Sequence, residues 1–250
     1  MIDQEAYAEV ARRAVDCLVT TQRDAIARAG GLVAESLMAG GVLQAYGTGH
    51  SRAVALELVG RAGGLIPANQ LAIRDLVYYG DSPAAEILDP LLERAPGLAA
   101  RIWALADIRP ADVFVIVSNS GGNGAVVEMA QLAKTHGHQV IAITSLEHSG
   151  EAASRQPSSL RLANLADVVI DNGAPWGDAT LPLPGGGAIG PLSSLTGILA
   201  ANLLVADVVG RQLKAGAPPA VFRSANTPGG YDHNADLLTQ YGGRVRLGDA

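Results

Sequence analysis

Two loops rich in glycine and small hydroxyl residues, each set where an apolar run hands over to helical sequence, restrict this chain to few folds. The first, Tyr46-Gly47-Thr48-Gly49-His50-Ser51, follows Val42-Leu43-Gln44-Ala45. The second, Ser118-Asn119-Ser120-Gly121-Gly122-Asn123-Gly124, follows Val113-Phe114-Val115-Ile116-Val117. Continuous apolar runs of this length read as strands buried on both faces, and such strands alternate with helices in parallel sheets. A strand that ends in small residues and then opens a helix makes an anion site. Backbone N–H groups, hydroxyls and the positive end of the helix dipole converge there.

The rest of the chain repeats the alternation. Residues 3–39 carry Ala, Arg, Glu and Leu at helical spacing, punctuated by Gly30-Gly31 and Gly40-Gly41. A first core strand is expected at 42–46 and a helix from Ser51 to Ala62. Leu65-Ile66-Pro67 fits a short edge strand, where proline is tolerated. Residues 70–106 mix helical and turn signals. A second core strand at 113–118 leads to a helix from Gly124 to Thr135, with Gly137 as its left-handed cap. Further strands are expected at 139–144 and 167–170. A Gly/Pro-rich loop over 171–190 precedes a long helix from Pro191 to Lys214. No linker or repeat divides residues 1–250, so one unit is expected, with a helical segment over about 1–40 and a tail over about 216–250. Right-handed crossovers then favour the flavodoxin-like order 2-1-3-4-5, and the two loops would face each other where the winding reverses.

Composition excludes several classes. The formal charge of −6 and the lack of a Lys/Arg cluster argue against a nucleic-acid surface. The single Cys17 excludes an internal disulfide and fits a reducing cytoplasm, and no signal peptide is evident at the start. The apolar stretch from Ala188 to Gly210 contains Pro191, Ser193-Ser194, Asn202 and Asp207, which suits a core helix better than a membrane span. Gly47-Thr48-Gly49-His50-Ser51-Arg52 begins like a dinucleotide fingerprint, yet Arg52 stands at the third glycine position and no acidic residue closes the next strand. A nicotinamide cofactor is therefore disfavoured, and no cofactor is expected. Zinc spacing is absent, so no metal site is expected either.

Gly47-Thr48-Gly49-His50-Ser51, Ser118-Asn119-Ser120-Gly121 and Thr144-Ser145 together resemble the sugar isomerase (SIS) domain. The likeness spans about residues 30–215, and the Ser224-Ala225-Asn226 tail resembles a stand-alone phosphosugar-binding branch. The resemblance implies a three-layer αβα sandwich around a five-stranded parallel sheet, with a phosphorylated sugar as ligand. By position, Gly49, Ser51, Ser118, Ser120, Gly121 and Ser145 would bind phosphate, with Asn119 and Thr144 shaping the loops. Ser193 and Ser194 either cap the long helix or add donors.

Glu57-Leu58-Val59-Gly60-Arg61 resembles a segment of phosphoheptose isomerases whose glutamate is an acid/base, a role that a carboxylate of raised pKa suits. The alternative is a surface pair of Glu57 with Arg61. His50 and His148 each follow a core strand, so either could contact phosphate or open the sugar ring. In related enzymes a C-terminal histidine, often from a neighbouring subunit, assists ring opening, a role that the resemblance would give to His233 in the tail. His136 and His138 flank a helix-end glycine and read as structural, while Asp171-Asn172-Gly173 and Asp178 read as turn formers. The resemblance thus implies an aldose–ketose sugar-phosphate isomerase, with a phosphosugar lyase or etherase and a non-catalytic sensor as alternatives. It also implies a homodimer or homotetramer, which a dilution-stable monomer in light scattering would refute.

Overall fold

A computed structural model describes residues 2–151 and 160–247. Helices α1 (Gln4–Thr21) and α2 (Arg23–Met38) precede strand β1 (Leu43–Gly47), helix α3 (Ser51–Glu57) and strand β2 (Ala68–Leu71). Short helices α4 (Asp75–Tyr78) and α5 (Leu98–Trp103) follow, then β3 (Val113–Val117), α6 (Gly124–Thr135) and β4 (Gln139–Thr144). After α7 (Leu146–Glu151) and α8 (Leu162–Leu165) come β5 (Val168–Asp171), β6 (Ala179–Pro182) and β7 (Ala188–Pro191). The long α9 (Ser193–Lys214) and α10 (Gly230–Thr239) complete the order.

Strands β1 to β5 form one parallel sheet in the order β2-β1-β3-β4-β5, the expected arrangement. The alternation within each strand builds two cores. Leu43, Ala45, Val113, Val115, Ile141 and Ile143 turn to one face, where α1, α2, α3 and α9 supply Leu18, Val33, Val54 and Leu204. Tyr46, Phe114, Ile116, Val140 and Ala142 turn to the other face, against Ile102 of α5 and Met129 of α6. Burying one such side chain contributes about 1.5–3 kcal/mol, so the middle strands are fixed by both layers at once.

Several boundaries differ from expectation for local reasons. The first helical segment breaks at Gln22, whose side-chain Oε1 accepts the Asp171 N–H at 3.0 Å and ties the break to the end of β5. Helix α3 stops at Glu57, because Gly60 adopts φ +68° and the chain turns there. The edge strand is Ala68–Leu71, one step beyond Leu65-Ile66-Pro67. Leu65 instead pairs antiparallel with Val221. Residues 179–191 form an antiparallel hairpin rather than a loop. The tail holds α10 and is anchored to the body by the buried Arg244.

Helix α9 meets the length and composition of a membrane span, yet it packs on α2 and α3 and buries Thr196, Gly197, Ala200, Leu204 and Val208. Close approach explains two glycines. A Cβ on Gly197 would come within 2.8 Å of Val54, and one on Gly30 would collide with the Asp207 carboxylate.

Candidate functional site

The carboxyl ends of β1 and β3 are neighbours, and the winding reverses between them. Gly47 ends β1 so close to the first turn of α3 that a Cβ there would stand 2.7 Å from the Ser51 carbonyl oxygen. Gly49 takes φ +55°, and Thr48 between them is buried. His50 caps α3 with its side chain exposed and makes no capping bond, while Ser51 is half-buried in the first turn.

The second loop is built mostly from its own hydroxyls. Ser118 is buried and its Oγ accepts the Gly121 N–H at 3.1 Å. Gly121 takes φ +60°, and a Cβ there would lie 3.0 Å from Ser149 Oγ. Thr144 is buried and donates to the Asn119 carbonyl at 3.3 Å, as expected of a loop-shaping residue. Ser145 is also buried, donating to the Ala174 carbonyl at 2.6 Å and accepting the His148 N–H at 2.9 Å. The Asn172 amide reaches across to Asn119 Oδ1 at 3.1 Å. Ser120 remains half-exposed, and its hydroxyl has no partner among the described residues.

A side-chain bond joins the two loops: Asn123 Nδ2 donates to Thr48 Oγ1 at 3.4 Å. Asn123 Oδ1 is buried without a partner. Helix α6 opens at Asn123 with no side-chain cap, so the positive end of its dipole faces this crevice.

The remaining candidates lie elsewhere. Glu57 Oε1 accepts from Arg61 and, at 2.8 Å, from Asn202 Nδ2 of α9. The carboxylate sits at the far end of α3, about 9 Å along the axis from Ser51 at 1.5 Å per residue. Ser193 donates to Asp178 Oδ2 at 2.6 Å, and Asp178 Oδ1 accepts the Ser193 N–H at 2.7 Å. Asp178 thus occupies the amino end of α9, holding Ser193 as part of a helix cap, and Ser194 stands half-exposed beside it. His148 packs at a tilt against the exposed Trp176, with ring centroids 4.9 Å apart, and accepts the Gly177 N–H through Nδ1. His233 bonds the Val221 carbonyl at 3.1 Å, where the tail joins the approach to β2 rather than the carboxyl edge. Buried His138 and exposed His136 pack on Trp103, a structural placement for both. Among the described residues no group of three His, Cys, Asp or Glu is placed to hold a metal ion.

Two further groups lie near the first loop. Glu93 stands over the first loop, its Oε2 3.7 Å from where a Gly49 Cβ would lie. Tyr46, wholly buried at the end of β1, has a hydroxyl without a partner. Burial, with Glu128 and Glu93 nearby, holds its ionisation well above the ordinary phenol range. The signal for Glu93 is spatial, because a 45-residue gap separates it from Thr48 in sequence.

The SIS domain family model matches residues 6–145. The UPF0309 protein lmo0025 of Listeria monocytogenes is 35% identical over 96% of this chain and 97% of its own. The structure of phosphoheptose isomerase GmhA from Neisseria gonorrhoeae superposes with TM-score 0.53 at 20% identity, covering 82% of this chain and 96% of that one. The Vibrio vulnificus NanR protein complexed with ManNAc-6P superposes with TM-score 0.50 at 16% identity, covering 95% and 66%. The chain belongs to the SIS domain family and, within it, to the UPF0309 group.

Proposed function

We propose that this SIS-domain protein binds a phosphorylated sugar in the crevice between the β1 and β3 loops and isomerises it between aldose and ketose forms. The observation that carries the binding step is the Thr48–Asn123 bridge, which draws the two glycine loops around one uncapped helix end. Ser51 and Ser120 are the hydroxyls we assign to phosphate, together with the loop amides around Gly49 and Gly121. Ser118, Asn119, Thr144 and Ser145 hold the loops in shape through the bonds they already make. The unpartnered Asn123 Oδ1 is an acceptor that a sugar hydroxyl would satisfy.

Isomerisation moves one proton between C1 and C2 through an enediol, and we assign that proton to Glu57, with His50 as the group that opens the ring. Glu57 lies outside the loop crevice, about 9 Å along α3 from Ser51, so the sugar carbons would extend along the helix from a phosphate held at the loops. His233 would take part only from a neighbouring copy, since its place within the chain is at the approach to β2. Mutation of Glu57 to Gln is the direct test. General acid–base catalysis contributes about 10²–10⁴-fold, so Glu57→Gln should lose turnover of an aldose phosphate by at least that lower factor. Thermal stabilisation by inorganic phosphate should persist, because ligand binding to the native state raises stability by mass action. Unchanged turnover removes Glu57 from the reaction.

A second reading is favoured by one observation: Glu57 already accepts from both Arg61 and Asn202. A sugar-phosphate sensor needs the anion crevice and no proton carrier. Binding across a panel of sugar phosphates, with turnover of none and no release of a substituent, would support that reading over both isomerase and lyase.

A further inference from the structure

Trp176 is 54% exposed, yet the loop that carries it, residues 171–178, is held at nearly every step. Asp171 Oδ1 accepts the Leu146 N–H at 3.1 Å, and Asn172 Oδ1 accepts the Ala174 N–H at 3.0 Å. Ser145 donates to the Ala174 carbonyl, and Glu147 Oε1 accepts the Trp176 N–H at 2.9 Å. The loop thus holds an aromatic ring at the surface by bonds in which the ring itself takes no part.

His148, which the isomerase reading leaves unused, completes the arrangement. Its ring packs at a tilt against Trp176, and its Nδ1 accepts the Gly177 N–H at 3.0 Å. A ring nitrogen that accepts carries no proton, so the neutral imidazole presents its N–H at Nε2. Neither that Nε2 nor Glu147 Oε2 has a partner among the described residues. A half-exposed indole therefore has one unused donor and one unused acceptor beside it, both supplied by α7.

We propose that Trp176, with His148 and Glu147, forms a stacking subsite for a neutral pyranose. The C–H face of a pyranose is apolar and weakly positive, which suits the negative face of an aromatic ring. Each sugar hydroxyl both donates and accepts, so two neighbouring hydroxyls satisfy the His148 Nε2–H and Glu147 Oε2 together. The loop bonds hold the indole in place before binding, which lowers the ordering cost of association. This subsite goes beyond the phosphosugar reading and does not depend on it. Asn172 ties the Trp176 loop to the second glycine loop through Asn119 at 3.1 Å, on the β5 side. The sugar assigned to Glu57 instead leaves the loops along α3, which follows β1. The pyranose at Trp176 is thus a free sugar or a second unit of a longer phosphorylated ligand.

Calorimetry and tryptophan fluorescence on the full chain test this with three probes. They are the neutral methyl glycosides of glucose, galactose, mannose and N-acetylglucosamine, a hexose phosphate, and a disaccharide phosphate. At least one methyl glycoside should bind saturably and shift the emission of Trp176, against a constant background from Trp103, which is stacked on Phe114. Trp176→Leu should weaken that glycoside about tenfold, a difference of about 1.4 kcal/mol, and Trp176→Phe should recover part of the loss. The indole makes no hydrogen bond among the described residues, so both variants keep the bonds of the loop. Both should leave the affinity for the hexose phosphate close to the original. A disaccharide phosphate that binds more tightly than the hexose phosphate, and loses only that gain in Trp176→Leu, assigns the subsite to a longer ligand. Equal affinity of the two phosphates assigns it to a free sugar. Binding of none of the glycosides overturns the proposal, and so does a loss of hexose phosphate affinity in Trp176→Leu as large as the loss for the glycoside. Emission that changes on dilution but not with sugar also overturns it, since a second copy of the chain would then cover the indole. Failure of the phosphate reading shows separately, as absent binding of inorganic phosphate with the glycoside result intact.

Discussion

At the scale of single residues, the site depends on backbone that only glycine adopts cheaply. Gly121 is the sharpest case, with φ +60° and the hydroxyls of Ser149 and Thr144 at 3.0 and 3.3 Å from any Cβ placed there. A left-handed L-residue costs about 1–2 kcal/mol, and here the contact adds to it. Gly121→Ala should therefore lower unfolding stability by at least about 1 kcal/mol and weaken inorganic phosphate binding. Gly150→Ala, with open space around it, is the control and should do neither. Chemical denaturation and calorimetry on the two variants decide the point. The position of Gly121 was legible in the sequence because a hydroxyl–glycine run after five apolar residues has one sensible place in a parallel sheet. Glu93 was not legible. It lies in residues 70–106, where short helical turns leave no sustained period to read.

At the scale of elements, long periodic pieces were legible and short ones were not. The helix expected from Gly124 to Thr135 and the strand expected at 139–144 match their observed bounds. The β6–β7 hairpin and α10 escaped because four-residue strands around Gly185-Gly186-Gly187, and a helix of polar and apolar residues without a marked stripe, look like loop and tail. Asp178 lies between these classes. It reads as a turn former, and it does turn, with φ +68°, but its carboxylate also caps the 22-residue α9 through the Leu192 and Ser193 N–H groups. Losing a cap costs about 0.5–2 kcal/mol. Asp178→Ala removes the cap and keeps the positive φ, whereas Asp178→Gly removes the cap and relieves the strain. Thermal unfolding should rank them wild type, then Asp178→Gly, then Asp178→Ala. The reverse order of the two variants would mean that backbone strain at this position is negligible.

At the scale of the whole molecule, the amino-terminal edge of the sheet holds the chain together, and the proposed ligand crevice lies at the opposite, carboxyl edge. Asp112 is the centre of that edge. Its Oδ1 accepts the Val42 N–H at 2.9 Å and Arg244 Nη2 at 2.5 Å, and its Oδ2 accepts Gln44 Nε2 at 2.9 Å. Gln44 in turn accepts from Asn69, which accepts the Arg246 N–H. Strands β1, β2 and β3 and the carboxyl-terminal segment are thus joined through one buried polar network. The tail is thereby tied to the body of the sheet. The side chains of Asp112 and Arg244 are 0% and 5% exposed, so removing the cation leaves a carboxylate with no access to water. Breaking a buried pair in this way costs about 3–5 kcal/mol, a large share of the stability of a domain. Arg244→Ala should lose that much in denaturant unfolding, and adding Asp112→Asn should recover part of it because the stranded charge is gone. The two changes share one contact, so their effects should fall short of additive. Strict additivity would show that Arg244 acts by packing rather than by charge, and would detach the tail from the network that defines this edge.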